Sequence, residues 1–258
     1  MKANNSNIKT ILIVNDDGIY APGIKHLYDA VSHLGDVWVV APVSEKSGVS
    51  HAFTFRFPLR ADHAGWVADR KGWGVHGTPV DAVKLAVRSI MPNVPDLVLS
   101  GINRGENTGV DLLYSGTVAA AMEGMIFGIN SIAFSIRTEE GVDFANAAAF
   151  APIISKLVLD KGLPMGVFLN VNVPTCPKSM LNGVRITSQA PSNYIADVKA
   201  ESDETGSNFY KMSYKKVLTG EGVGTDFEAI RDNYISVTPV HAKWTACEMI
   251  PVLKEWEL

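Results

Sequence analysis

The chain has 258 residues, 47% of them hydrophobic and 19% charged, with 23 Lys and Arg against 27 Asp and Glu for a formal net charge of −4. That excludes a disordered or fibrous chain, and it excludes duplex nucleic acid or an anionic membrane as the default partner, because no Lys/Arg run exceeds a pair such as Lys215–Lys216. A chain of this length buries about 75% of its unfolded surface and needs no disulfide or structural metal. Cys176 and Cys247 are far apart and lack metal-ligand spacing, so a reducing, cytoplasmic compartment is expected.

Ile11–Val14 reads as a buried parallel strand, apolar on both faces. Ile24, Leu27, Tyr28, Val31 and Leu34 follow at helical spacing, with Pro22 near the start and Gly35 after the end. Val37–Ala41 is the next strand. Phe53–Leu59 and Trp66–Val75 read as hairpin strands, and Thr78-Pro79 opens a helix running to Ile90. Pro95–Ser100 is a third buried strand, followed by a glycine-rich loop. A helix over Thr117–Phe127, a strand Ser131–Ile136, a helix Phe144–Leu159 and a strand Val167–Val173 complete the series. Repeated strand–helix–strand units predict an α/β fold: a doubly wound, Rossmann-like parallel sheet with helices on both faces, over residues 1–174.

From Pro174 the rhythm changes. Val184–Ser188 and Phe209–Tyr214 read as strands flanking a polar stretch, Ser192–Asn208, that is expected to be mobile. Tyr234–Val240 reads as a strand and Thr245–Trp256 as a terminal helix. Residues 175–258 are therefore expected to form a hairpin-and-helix extension that closes the active site and joins subunits. The most apolar long window, Val118–Ile136, is broken by Glu123, Gly124, Gly128 and Asn130, which disfavours a membrane span.

Ligands of a doubly wound sheet bind beyond the carboxyl ends of its strands. There the sequence places Asn15-Asp16-Asp17-Gly18 after the first strand, Ser44, Ser47 and Ser50 after the second, and Ser100-Gly101-Ile102-Asn103-Arg104-Gly105-Glu106-Asn107 after the third. Adjacent carboxylates resist joint ionisation, and a divalent cation removes that conflict. Oxygen donors suit Mg²⁺ or Mn²⁺, whereas Zn²⁺ recruits His or Cys. The alternative is a solvated turn in which one aspartate caps the next helix. Tyr114-Ser115-Gly116-Thr117 opens a helix whose free N–H groups and hydroxyls can cradle a phosphate, together with Asn107. A metal rim facing a phosphate cradle is what phosphoryl transfer needs. One of Asp16 and Asp17 would accept the proton of the attacking water.

Competing motifs fail. G-x-x-x-x-G-K-[ST], G-x-G-x-x-G after a strand and G-x-S-x-G are missing, and Asn15 stands where an aspartyl-phosphate enzyme needs its nucleophile. His26 and His33 read as surface residues, since nothing converges on them.

Taken together the motifs resemble those of the SurE survival-protein nucleotidases. The resemblance is carried by Asn15-Asp16-Asp17-Gly18 with Ala21-Pro22-Gly23, by Ala41-Pro42 with Ser47-Gly48, and by Gly77-Thr78-Pro79 with Asp81. It continues through Ser100-Gly101-Ile102-Asn103 and Tyr114–Gly124 to Asn170–Pro174, Gly224–Phe227 and Val237–Pro239, nearly the whole chain. It implies a metal-dependent phosphatase of nucleoside 5′- and 3′-monophosphates, with some activity on short polyphosphate. It also implies one divalent cation per subunit, held by Asp16, Asp17, Ser47 and Asn103, and homodimers or homotetramers that exchange C-terminal elements. Val43-Ser44 stands where the family often has Asp-Arg, which touches loop-level substrate preference. A nucleotide-sugar glycosyltransferase sharing Asp-Asp-Gly and a non-catalytic nucleotide- or metal-binding module remain the alternatives.

Overall fold

The computed structural model describes residues 8–137, 142–202 and 207–256. In chain order the elements are β1 (Thr10–Val14), α1 (Pro22–Val31), β2 (Asp36–Pro42), β3 (Ala61–His63), β4 (Gly72–Val75), α2 (Pro79–Leu85), β5 (Leu97–Arg104), α3 (Gly116–Ile126), β6 (Asn130–Ile136) and α4 (Ala145–Lys161). Then come β7 (Val167–Val173), β8 (Val184–Ile186), β9 (Ser192–Ser202), β10 (Asn208–Leu218), α5 (Asp226–Arg231), β11 (Ile235–His241) and α6 (Met249–Lys254).

Nine strands form one sheet in the order β3-β4-β2-β1-β5-β6-β7-β11-β8. From β4 to β7 every pairing is parallel; β3 on β4 and β11 on β7 are antiparallel. The expected doubly wound α/β fold is therefore present. Successive residues of β1 explain how both faces are covered. Ile11 and Ile13 join a core with Ile24 and Leu27 of α1 and Ala147 of α4, whereas Leu12 and Val14 join one with Val83 of α2 and Ala120 of α3. Chain order reverses at β1, which has β2 on one side and β5 on the other. The loops after β1 and β5 part at that switch point, the usual place for a ligand crevice.

Three expectations are corrected. Phe53–Leu59 forms no strand; the hairpin is made by Ala61–His63 on Gly72–Val75. The Thr54 N–H and hydroxyl both donate to the Asp81 carboxylate, each at 2.8 Å, which pins this loop to α2 and takes away a ladder donor. The stretch Ser192–Asn208 is mostly β9, paired antiparallel with β10 from Ser192↔Leu218 to Ser202↔Asn208; residues 203–206 lie outside the described residues. The terminal helix is also shorter than expected. Pro251 has no N–H for the carbonyl four residues upstream, so α6 cannot start much earlier than Met249.

Residues 175–258 contribute β8, α5 and β11 to the main sheet and its covering layer, while the β9–β10 hairpin forms its own two-stranded sheet. On α6, Met249, Ile250, Val252 and Leu253 are all exposed, as is Trp256 just after it. Among the described residues no helix is long and apolar enough to cross a membrane.

Candidate active site

The Asp-Asp-Gly turn is built by its neighbour. Asn15 is fully buried; its amide donates to the Gly18 carbonyl at 2.9 Å and its side-chain oxygen accepts from the Gly18 N–H at 3.2 Å. This closes the loop behind the two carboxylates. Neither aspartate caps α1, whose N-cap is Ala21 and whose first turn holds Pro22. The Lys46 N–H donates to the Asp16 carbonyl at 2.7 Å, so the loop after β2 lies against the end of β1 and brings Ser47 to the same rim.

Asp16 is buried beneath the start of α3. The Thr117 hydroxyl, itself fully buried, donates to the Asp16 carboxylate across 101 positions of sequence. The Thr117 backbone N–H also favours the charged form of Asp16. The anion nearest this helix start is thus the protein's own aspartate, which gives the Thr117 hydroxyl a partner other than phosphate. Gly116 makes the approach feasible: a Cβ there would stand 2.9 Å from the Asp16 Cβ and 3.0 Å from its Oδ2. Ser115 is the N-cap of α3, its hydroxyl accepting from the Val118 N–H at 3.1 Å.

The loop after β5 supplies the rest. Gly101 takes φ +133°, and a Cβ there would meet the Phe134 carbonyl at 2.3 Å, so β5 passes β6 only as glycine. The Asn103 amide donates to the Gly105 carbonyl at 2.8 Å, which leaves its oxygen as the free end of the group. The Arg104 N–H donates to Asp17 at 3.3 Å. Asn107 is held by β7: its N–H donates to the Asn172 side chain at 2.7 Å, and its carbonyl accepts from Asn170 at 2.9 Å and Asn172 at 3.0 Å. Its own amide donates to the Ser135 hydroxyl at 2.8 Å.

Two depressions flank the aspartates. One of about 280 Å³ is lined by Asp16, Ser47, Asn103, Asn107 and Ser115, among others. The larger, about 770 Å³, is lined by Asp17, Glu45, Ser47 and Arg104 and extends towards Phe144. Asp16, Ser47, Asn103, Asn107 and Ser115 converge on the smaller, which makes it the better candidate for the reacting centre.

The rim is strongly acidic. Burial pushes the Asp16 carboxyl up from its ordinary value despite the Thr117 hydrogen bonds. Burial, and then the adjacent Asp16 charge, push Asp17 up to about 6. Among the described residues neither carboxylate has a Lys or Arg in an ion pair; Arg104 favours the Asp17 charge through its backbone N–H and, from a distance, through its guanidinium. Such a pair fits a divalent cation, because its charge removes both the repulsion and the desolvation cost. Among the described residues there is no cluster of three His, Cys, Asp or Glu, so neutral oxygens of Ser47 and Asn103 would complete the donor set. That chemistry suits a hard cation.

The family model for survival protein SurE matches residues 11–196. The chain belongs to the SurE family. It is 43% identical over 251 residues to the 5′-nucleotidase SurE of Geobacter sulfurreducens, covering 96% of this chain and 94% of that one. The 5′-nucleotidase SurE of Geotalea daltonii is 42% identical over 249 residues, covering 96% and 99%. The crystal structure of the SurE protein from Aquifex aeolicus superimposes with a TM-score of 0.83 at 41% identity, covering 96% of this chain and 100% of that one.

Within this SurE chain the structure gathers Asp16, Ser47, Asn103, Asn107 and Ser115 on one depression, with Asp17 and Ser47 on its neighbour. Gly116 and Thr117 lie behind Asp16. Sequence reading did not anticipate the roles of Asn170 and Asn172, although the Asn-Val-Asn-Val-Pro run was a visible signal. It also passed over Tyr194, which reaches the rim from a segment read as mobile, and Arg104, whose only signal was its place beside Asn103.

Proposed function

We propose that this SurE chain is a divalent-metal-dependent phosphomonoesterase. Its substrates are nucleoside 5′-monophosphates, and 3′-monophosphates as well, which it hydrolyses to nucleoside and inorganic phosphate; short polyphosphate is a further substrate. The observation that carries this reading is the buried Asp16 with the half-buried Asp17 next to it, neither in an ion pair with a Lys or Arg among the described residues, Asp16 lining a depression of about 280 Å³ at the start of α3. The name borne by the relatives, 5′-nucleotidase, supports it.

Asp16, Asp17, Ser47 and Asn103 hold one Mg²⁺ or Mn²⁺ per subunit. A cation there supplies positive charge to phosphoryl oxygens and acidity to a water. The chain's own groups do the rest. Asn107, Ser115 and the N–H group at Gly116 hold phosphate oxygens, while Thr117, taken from sequence as a phosphate ligand, acts through Asp16. The Thr117 hydroxyl fixes the orientation of Asp16, and the Arg104 guanidinium, on the same depression, offsets the dianion's charge. One aspartate of the pair takes the proton of the water that attacks phosphorus in line.

The assembly is at least a homodimer, a dimer or a tetramer, with α6 exchanged between subunits. Its support is the apolar face of α6 and the β9–β10 hairpin, a two-stranded sheet of a kind that is marginal alone in water. A reducing, cytoplasmic setting suits Cys176 and Cys247, which lie far apart in sequence and lack metal-ligand spacing.

The test is phosphate release from a panel of nucleotides after chelation, with metals added back singly. Mg²⁺ or Mn²⁺ should restore release and Zn²⁺ should not. Full activity in excess chelator, or restoration by Zn²⁺ alone, overturns the metal assignment. Release of a nucleotide from a nucleotide sugar would favour a glycosyltransferase, and binding without turnover a non-catalytic module.

A further inference from the structure

Tyr114 and Tyr194 share the lining of the small depression with Asp16, Asn107 and Ser115. Tyr114 immediately precedes the N-cap of α3, and its side chain remains 51% exposed beside the proposed phosphate site. Tyr194 arrives on β9 with its ring centroid 5.8 Å from that of Tyr114, tilted by 57°. Behind it Tyr214 of β10 packs at 6.0 Å, edge to face.

This grouping is anchored at several points. The Tyr194 hydroxyl donates to the Asp111 carboxylate, whose other oxygen pairs with Lys216 at 2.5 Å; Lys216 also donates to the Thr108 hydroxyl at 2.8 Å. Asp111 lies in the short helical turn Gly109–Leu113 that leads into Tyr114. The same turn receives the hairpin base a second time: the Val110 N–H donates to the Ser192 hydroxyl at 2.8 Å and the Gln189 amide to the Gly109 carbonyl at 2.7 Å. An exposed aromatic face is therefore held rigidly at the edge of a polar phosphate site, the arrangement that presents a stacking surface to a planar ring at low ordering cost.

We propose that Tyr114, braced by Tyr194, is the platform on which the substrate's nucleobase stacks, so that the site recognises phosphate esters carrying an aromatic base by its π-face and not by its hydrogen-bonding edge. The proposal rests on the nucleotidase reading for where the phosphate lies. It predicts tolerance among bases, because every base has a π-face. It also predicts discrimination against a sugar phosphate that lacks one. Asp111 and Lys216 are positioning residues, acting through Tyr194.

The experiment compares adenosine 5′-monophosphate with ribose 5-phosphate on the wild-type chain, Tyr114→Ala, Tyr114→Phe and Tyr194→Phe. The wild type should prefer the nucleotide in kcat/KM. Tyr114→Ala should lower that preference by about tenfold or more, mainly through KM, while kcat/KM for ribose 5-phosphate stays within about twofold. Tyr114→Phe should restore it, since the ring and not the hydroxyl stacks. Tyr194→Phe keeps the ring but loses its anchor and should fall between. Equal losses on both substrates, or no loss on the nucleotide, overturn the platform. Equilibrium dialysis of the two compounds with chelator present reads the same preference without turnover. A wild type that binds the nucleotide more tightly there, through Tyr114, yet releases no phosphate in the separate turnover assay with any metal added back would sink the nucleotidase reading and keep the platform. Equal binding of the two by the wild type would sink the platform alone.

Discussion

The rim of the sheet and the C-terminal hairpin with α6 invert the usual partition in opposite directions. At the rim, Asn15, Asp16, Asn107, Asn170 and Asn172 are buried among parallel strands; on the hairpin and α6, Ile195, Phe209, Met212, Met249 and Leu253 stand in the open. Buried polar groups are costly unless partnered, and exposed apolar groups forgo the stabilisation of burial. Asn107 is held by Asn170 and Asn172 within one chain, which leaves the buried Asn170 side-chain oxygen as the group's one acceptor without a partner among the described residues. Among the described residues the aspartate pair has no ion pair with a Lys or Arg, and nothing covers these apolar side chains. The contrast teaches that the two regions call for different completion: on the reading proposed above, a cation and an anion at the rim and a second copy of the chain at the hairpin and α6.

The largest expected effect breaks the rim. Asp16→Asn preserves shape and the Thr117 partner but removes a charge, so turnover on a nucleotide should fall by about 10²–10³. Thermal unfolding should shift little, and near wild-type turnover at limiting metal would remove Asp16 from the ligand set.

Truncation after Lys243 breaks the other side. Without α6 the mass from light scattering should drop towards the monomer, with the sheet's circular dichroism unchanged. A monomeric intact protein, or an unchanged oligomer after truncation, would show that α6 is not the contact.

Thr117→Val sharpens the rim. It leaves a buried carboxylate oxygen without its donor, at a cost of about 1–3 kcal/mol in chemical denaturation. Calorimetry should show weaker metal binding as well, since Asp16 loses the group that orients it. A change in KM for nucleotide with metal affinity intact would instead place the hydroxyl on the phosphate.

The smallest effect lies between the two regions, at Glu123 on α3. Burial alone would raise its carboxyl, but hydrogen bonds from His51 at 2.8 Å and from Lys84 outweigh that and hold it below the ordinary value. A depressed carboxyl stabilises the fold above its unfolded value of 4.5, and the stabilisation is lost as pH falls through the lower folded value. Glu123→Gln should lower stability by about 1–2 kcal/mol at neutral pH, with Lys84 and His51 partly solvent-screened, and should flatten the acid-side slope. An unchanged slope would mean that other carboxylates set it.

Local patterning was legible where local forces rule. β7 runs over the expected Val167–Val173, and Ser115 and Thr78 cap α3 and α2, because strand burial and caps depend on neighbours within a few residues. Of the β9–β10 hairpin only the Phe209–Tyr214 part of β10 was legible, and β9 was not. Lys199, Glu201 and Lys211 give β9 and β10 a polar surface, and exposed strands lack the apolar runs by which strands are read.

The sequence by itself determined the alternation of strands and helices, the placing of Asp16-Asp17-Gly18 at the end of β1, and the glycines that let backbones pass. These follow from sterics and periodicity over one or two turns of chain. Only the tertiary structure decided that Thr117 would serve Asp16 across 101 residues, that β7 asparagines would hold Asn107, and that Tyr194 would reach Asp111 across 83. Such contacts depend on which loops the sheet's crossovers bring to one rim, and a side chain's nearest neighbours in sequence carry no record of that.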